Sequence, residues 1–215
     1  MEIFKGLNNF LFIGAHYDDV EIGCGGLIKK LSENKYFKLN SLVLTDTHYV
    51  RNDRIERDKK IVQKEAIESS KILGVNLTCL NFKLNHLKCN DDLVTKMREY
   101  IENNNIDVIF THWHGDIHPD HREAYCASVS ASRHLNNILM YKSNNYASGH
   151  FFNGNIGIDI SKQMKYKIKA LQCYESEILR KGKKFIDNIV IRDKNIGLLY
   201  NVKYAEQFEV IKFII

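Results

Sequence analysis

Residues 10–26 read FLFIGAHYDDVEIGCGG. The apolar run 10–14 has the pattern of a central strand in a parallel sheet, buried on both faces. It ends abruptly in His16, Asp18 and Asp19. An imidazole and two carboxylates are poor core material, since burying each without a partner costs several kcal/mol, on the order of 2–7. Their place at a strand end therefore suggests a site. Gly23, Gly25 and Gly26 follow, and the simplest reading makes them a turn, with a helix beginning over 25–31.

Working outward, apolar runs and helical patterns alternate. Strands are expected at 39–45, 76–82, 106–111, 138–141 and 156–160, and at the end over 206–215. Helices are expected at 54–73, 91–103, 122–133, 162–179 and 184–200, with Gly74 stopping the first of these. Such alternation implies βαβ units with right-handed crossovers. The expected fold is α/β, a Rossmann-like three-layer sandwich around a mainly parallel central sheet. No linker or repeat interrupts the 215 residues, so a single domain over 1–215 is the economical expectation.

Composition narrows the function. The chain is 44% hydrophobic and 27% charged, as in ordinary globular proteins. The net charge of +5 is spread along the chain, and its densest run, RNDRIERDKK at 51–60, mixes both signs. No single-sign patch with interleaved aromatics marks a nucleic-acid surface. A mild positive potential favours an anionic small substrate instead. Five cysteines, Cys24, Cys79, Cys89, Cys126 and Cys173, lack CxxC spacing and are odd in number, which points to a reducing compartment. No signal-peptide pattern opens the sequence and no apolar run nears the roughly 20 residues of a membrane span. The expectation is a cytoplasmic protein without an integral membrane segment. A homo-oligomer stays open.

A second polar cluster, HWHGDIHPDH at 112–121, follows the strand at 106–111. In open α/β sheets ligands sit beyond the carboxyl ends of the strands, near the point where strand order reverses. If the strands at 10–14 and 106–111 are neighbours, the two clusters face each other. Together they offer His16, Asp18, Asp19, His118, Asp120 and His121. Two imidazoles and one carboxylate with an open fourth position form a familiar catalytic zinc shell, and ferrous iron suits the same donors. A spare carboxylate is then available as general base and a spare histidine as acid or oxyanion donor. The G-C-G-G string matches neither a dinucleotide fingerprint nor a phosphate loop. The helix start after it remains able to help hold an anion.

AHYDDVEIGCGG at 15–26 resembles the AHPDDxExGCGG signature of the GlcNAc-phosphatidylinositol de-N-acetylases, the PIG-L or LmbE-like family. HPDH at 118–121 looks like that family's second motif. Weaker echoes, KEAIESSKILGV at 64–75, DVIFTH at 107–112 and ALQCYESE at 170–177, extend the likeness over nearly the whole chain. The resemblance implies a zinc-dependent hydrolase that removes the N-acetyl group from an amino sugar in a nucleotide-, lipid- or thiol-linked glycoside. It implies His16, Asp19 and His121 as metal ligands and Asp18 as the base that activates water. It also implies His118 as the group that stabilises the oxyanion or protonates the leaving amine, and Asp120 as the residue orienting His118.

Three positions depart from the pattern. Tyr17 stands where the family has proline, Gln63 where many relatives carry an arginine, and Leu84-Asn85 where aspartate-glycine is common. These leave the metal chemistry in place and bear on the substrate. Tyr17, Asp46, Trp113 and His150 are candidates for substrate contact, and His112 and His114 for supporting positions. The alternatives are a metal hydrolase of another amide or ester, and a catalytically silent sugar-binding relative.

Overall fold

The computed structural model describes residues 2–51, 54–182 and 184–214. After a short helical turn, Glu2–Phe4, the elements run β1 (Asn9–Gly14), α1 (Asp19–Leu31), β2 (Lys38–Thr45), β3 (Tyr49–Arg51), β4 (Arg54–Arg57), α2 (Lys59–Leu73) and β5 (Asn76–Phe82). They continue through α3 (Asp91–Asn103), β6 (Val108–His112), α4 (Pro119–Ala131), β7 (Ile138–Tyr141) and β8 (Ile156–Asp159) to α5 (Met164–Gln172), α6 (Glu175–Lys181), α7 (Lys184–Leu199) and β9 (Ala205–Lys212).

Seven strands form one sheet in the order β5-β2-β1-β6-β7-β9-β8. β5, β2, β1, β6 and β7 are mutually parallel, and β9 runs antiparallel between β7 and β8. β1 and β6 are neighbours, Phe10 facing Val108 and Phe12 facing Phe110. Side chains alternate across the sheet as strand geometry requires. Phe10 and Phe12 pack with α1 and α5, while Leu11 and Ile13 pack with α3 and α4. The result is the three-layer, mainly parallel α/β sandwich that the strand-helix alternation implies.

Three details differ from the sequence reading. The glycines at 23, 25 and 26 lie inside α1 rather than in a turn before it, for the helix begins at Asp19. Packing explains them. A Cβ on Gly23 would overlap the ring of Tyr141, one on Gly26 would come within 2.7 Å of Ile160, and one on Gly25 within 3.2 Å of Lys167. Their lack of side chains lets α1 lie close on β7 and on the segment entering α5. The expected anion-binding helix start at Gly25 and Gly26 therefore falls away.

Second, the expected long helix at 54–73 starts only at Lys59, capped by the Asp58 carboxylate, which accepts from the backbone N–H groups of Lys60 and Ile61. Before it, β3 and β4 form a two-stranded antiparallel ribbon. Third, the helix expected at 162–179 breaks at Cys173 and Tyr174 into α5 and α6. Tyr174 is buried with its hydroxyl donating to Glu21 (2.7 Å). Among the described residues no helix is long and apolar enough to cross a membrane.

Candidate metal and catalytic site

The chain leaves β1 through a run of backbone groups that side chains must satisfy, which explains the polar residues there. The Ala15 N–H donates to His112 Nε2 (2.9 Å), the His16 N–H to Asp19 Oδ2 (2.8 Å) and the Tyr17 N–H to Thr47 Oγ1 (3.1 Å). Asp18 then takes a left-handed conformation, φ 90°. For a residue with a Cβ this costs on the order of 1–3 kcal/mol, and such strain gathers at functional sites. The four residues 15–18 carry the chain from the end of β1 to the start of α1.

From β6 the chain turns at Trp113 and Asp116, then enters α4 with His118 as N-cap and Pro119 in the first turn. His118 Nδ1 accepts from the Asp120 N–H (3.2 Å). Arg122 reaches back and donates to the carbonyls of Asp116 (2.9 Å) and Ile117 (2.7 Å), closing the loop.

Because β1 and β6 are adjacent, these two ends meet over a cavity of about 350 Å³ lined by His16, Asp18, Asp19, His118 and His121, among others. His16 Nδ1 lies 3.3 Å from Asp19 Oδ2 and 3.3 Å from His121 Nε2, and His121 Nε2 lies 3.3 Å from Asp19 Oδ1. Ligands about 2.0–2.1 Å from a tetrahedral centre stand about 3.3 Å from one another; the two imidazoles have that spacing, and each has it to a different oxygen of the Asp19 carboxylate. Behind it, each imidazole turns its other nitrogen to a carboxylate: His16 Nε2 to Asp120 Oδ2 (3.0 Å) and His121 Nδ1 to Asp116 Oδ2 (3.0 Å). A carboxylate behind each histidine is the arrangement that fixes ring tautomer and orientation in metal sites.

The electrostatics agree with a cation-binding cluster. Burial alone would lower the pKa of His121, yet Asp19 and Asp116 push it up to about 10. Burial would raise Asp19, but His121 and His112 hold it well below the usual carboxylate range. The carboxylates thus demand a positive charge between them, proton or metal. His118 Nδ1 or Nε2 lies within 4.8 Å of donor atoms of His16 and His121, and Asp19, His112 and His121 form a second such group. His112 Nε2 is already occupied by the Ala15 N–H, and burial and His121 push its pKa down to about 4, so its ring is a neutral support stacked on His121. The residues present fit a divalent metal at His16, Asp19 and His121.

Asp18 is buried and its Oδ2 has no hydrogen-bond partner among the described residues. Burial raises its pKa to about 7, against the pull of Lys181, whose Nζ is 3.7 Å away. His118 is pushed down to about 4 by burial and by the neighbouring His16 and His121.

Several expectations need correcting. The Asp120 carboxylate faces His16 and the Asn85 N–H (2.8 Å); its contact with His118 runs through its own backbone N–H. Tyr17 does not enter the cavity: it is buried with Val43, Val62, Ala66 and Tyr174, where burying its ring against β2, α2 and the α5–α6 junction outweighs exposing it to the pocket. Trp113 is fully buried, with the added space of Gly115 taken up by its ring. Asp46 pairs with Lys59 (3.8 Å) and caps the His48 N–H, away from the cavity. His150 and His114 are exposed and Gln63 lies on the outer face of α2.

Five contributors were missed in the sequence. Asp116 holds His121, the His118 N–H (2.8 Å) and the side-chain amide of Asn144 (2.6 and 2.7 Å). α6 brings Glu177, Arg180 and Lys181 to the cavity wall, where Arg57 of β4 joins them. Asp116 sits in the quoted cluster at 112–121 but outside any ligand spacing. Glu177 closes the quoted stretch ALQCYESE, which assigned it no role, and Arg180 and Lys181 carried no signal beyond their charge.

The sequence profile described as PIG-L, GlcNAc-PI de-N-acetylase, matches residues 11–132. The uncharacterized deacetylase YaiS of Escherichia coli (strain K12) is 31% identical over 141 residues, covering 62% of this chain and 72% of YaiS. Among solved structures, N,N'-diacetylchitobiose deacetylase from Pyrococcus horikoshii superposes with a TM-score of 0.81 at 22% identity, over 99% of this chain and 86% of that one. GalB, a 4-carboxy-2-hydroxymuconate hydratase from Pseudomonas putida KT2440, superposes with a TM-score of 0.79 at 14% identity, over 97% and 98%. At these identities the structural likenesses establish the fold, and a hydratase among them shows that the fold alone does not fix the reaction. By the extent of the profile match and the identity to YaiS, the chain belongs to the PIG-L family.

Proposed function

We propose that the protein is a metal-dependent hydrolase that removes the acetyl group from an N-acetylated amino sugar. The carrying observation is the convergence of His16, Asp19 and His121 within 3.3 Å of one another, with a further carboxylate behind each imidazole, in the same cavity as Asp18, whose buried Oδ2 accepts no hydrogen bond among the described residues. His16, Asp19 and His121 would hold zinc or ferrous iron. When bound, the metal supplies Lewis acidity that polarises the acetamide carbonyl and makes water acidic enough to attack near neutral pH.

The remaining work falls to this chain's side chains. Asp18 takes the proton from the attacking water and returns it to the amide nitrogen as the carbon–nitrogen bond breaks, releasing acetate and a free amine. A base in this role contributes about 10²–10⁴-fold. His118 accepts the Asp120 N–H at Nδ1, so its neutral ring carries hydrogen on Nε2 and donates to the oxygen on which negative charge develops. Of the two roles that the resemblance allows for His118, this geometry favours the oxyanion donor. Asp120 and Asp116 fix the two ligand imidazoles.

The test is acetate release from a panel of N-acetylhexosamine derivatives, with and without chelator. Turnover abolished by chelator and restored by added metal supports the proposal. Chelator-insensitive turnover contradicts the metal role. A silent panel with metal bound would indicate the sugar-binding alternative, and turnover of other amides or esters alone would indicate a different hydrolase.

A further inference from the structure

Part of the cavity wall is built from α6 and β4, and its charges are out of balance. Glu177, buried, is met by three cations. Arg180 donates to both its carboxylate oxygens (2.5 and 2.9 Å), Lys181 Nζ lies 2.7 Å from it, and Arg57 Nη1 lies 3.5 Å away. Their pull, Arg180 first, overcomes burial and holds the Glu177 pKa down to about 2. The next carboxylate, Asp18, is 3.7 Å from Lys181. Even with Asp18 ionised the group keeps a positive surplus.

Arg57 sharpens the point. It is only 6% exposed, it lines the cavity, and its Nε and Nη2 have no hydrogen-bond partner among the described residues. A buried guanidinium with unspent donors is costly unless an anion completes it. Arg180 and Lys181 keep about a third of their side chains exposed, so they present charge to whatever enters.

Resting on the deacetylase reading, we propose that Arg57, Arg180 and Lys181 form an anion subsite for a phosphoryl group on the sugar, at the carbon next to the one that bears the acetamide. The substrate would then be an N-acetylhexosamine 1-phosphate or a diphosphate ester of one. Two observations point to this class. Three cations against Glu177 and the ionised Asp18 leave one positive charge in surplus, which favours an anion, and the guanidinium forks of Arg57 and Arg180 suit phosphoryl oxygens. Lys181 stands 3.7 Å from Asp18, the base that serves the amide nitrogen on C2, which puts the anion on a carbon beside C2; C1, the anomeric carbon, is the one where sugars carry glycosyl phosphates.

The experiment compares acetate release from N-acetylglucosamine 1-phosphate, a uridine diphosphate ester of it, the 6-phosphate and the neutral methyl glycoside, for the metal-loaded wild type, Arg180→Gln and Arg57→Gln. The folding of each variant is checked by circular dichroism, and Arg180, being partly exposed, serves if Arg57→Gln does not fold. The subsite predicts kcat/KM for a 1-phosphoryl substrate about 10–100-fold above the methyl glycoside, the range of a charged hydrogen bond or two. It predicts that either variant narrows that ratio. Preference for the free phosphate or the diphosphate ester then distinguishes the two sources of the phosphoryl group.

Equal turnover of charged and neutral sugars, or a ratio that the variants do not change, overturns the subsite while leaving the deacetylase reading intact. If no sugar releases acetate, the deacetylase reading falls and calorimetry decides the subsite. Tighter binding of the 1-phosphate than the methyl glycoside, weakened by Arg180→Gln, supports it, and equal binding overturns it.

Discussion

Asp116→Asn isolates the hidden half of the proposed metal site. Asp116 does not itself line the cavity; it receives His121 Nδ1–H on Oδ2 (3.0 Å), the His118 N–H on Oδ1 (2.8 Å) and the Asn144 amide on both oxygens. An asparagine keeps only one acceptor. If its oxygen stays on His121, its NH2 confronts the His118 N–H and the Asn144 NH2, leaving a buried donor unmet at a cost of about 1–3 kcal/mol. If it turns the other way, His121 loses its acceptor and the ring is no longer held in the tautomer that leaves Nε2 free for metal. Loss of such a supporting carboxylate weakens metal binding about 10–100-fold, or roughly 1.4–2.8 kcal/mol. The assay is a zinc competition titration against a chelator of known affinity, for wild type and Asp116→Asn. Metal affinity within two-fold of wild type would refute the reasoning, because the Asp116–His121 contact would then contribute nothing to the ligand geometry.

Other consequences are open to measurement. Gly23→Ala places a methyl group in the Tyr141 ring and should destabilise by about 1–3 kcal/mol, as overpacking does, seen as a melting temperature several degrees lower; unchanged melting would contradict the close approach of α1 to β7. Tyr17→Phe, altering a residue packed away from the cavity, should leave kcat and KM within about two-fold, and a large rise in KM would return Tyr17 to the substrate pocket. Glu177 has its pKa held down to about 2, below its ordinary value of 4.5. Its contribution to stability is therefore present above pH 4.5 and lost as pH falls from 4.5 towards 2. Urea midpoints should fall over that window in the wild type and fall less steeply in Glu177→Gln. Parallel pH profiles would show that the ion cluster does not couple to folding.

The sequence disclosed the ends of β1 and β6 because polar residues after apolar strands conflict with burial, and fold logic makes those strands neighbours. It disclosed much less of what lies between motifs. Asp116 reaches His121 only through the turn at Trp113–Asp116, which no spacing rule encodes. Arg57, Glu177, Arg180 and Lys181 converge from β4 and α6, and Arg57 lies in a mixed-charge run that reads as solvated surface. The glycines of α1 misled because low helix propensity suggests a turn, whereas tertiary packing against Tyr141 and Ile160 overrides propensity. Trp113 and Tyr17 show the converse: aromatic residues beside a motif were candidates for the pocket, and the core claimed both.

The division of labour between the adjacent carboxylates Asp18 and Asp19 is the centre of the account, and Asp18→Asn tests it most directly through metal content and acetate release measured on the same sample. The account predicts one equivalent of bound metal, as in wild type, with acetate release lowered by about 10²–10⁴-fold. A variant that loses its metal, or that keeps wild-type turnover, would contradict it.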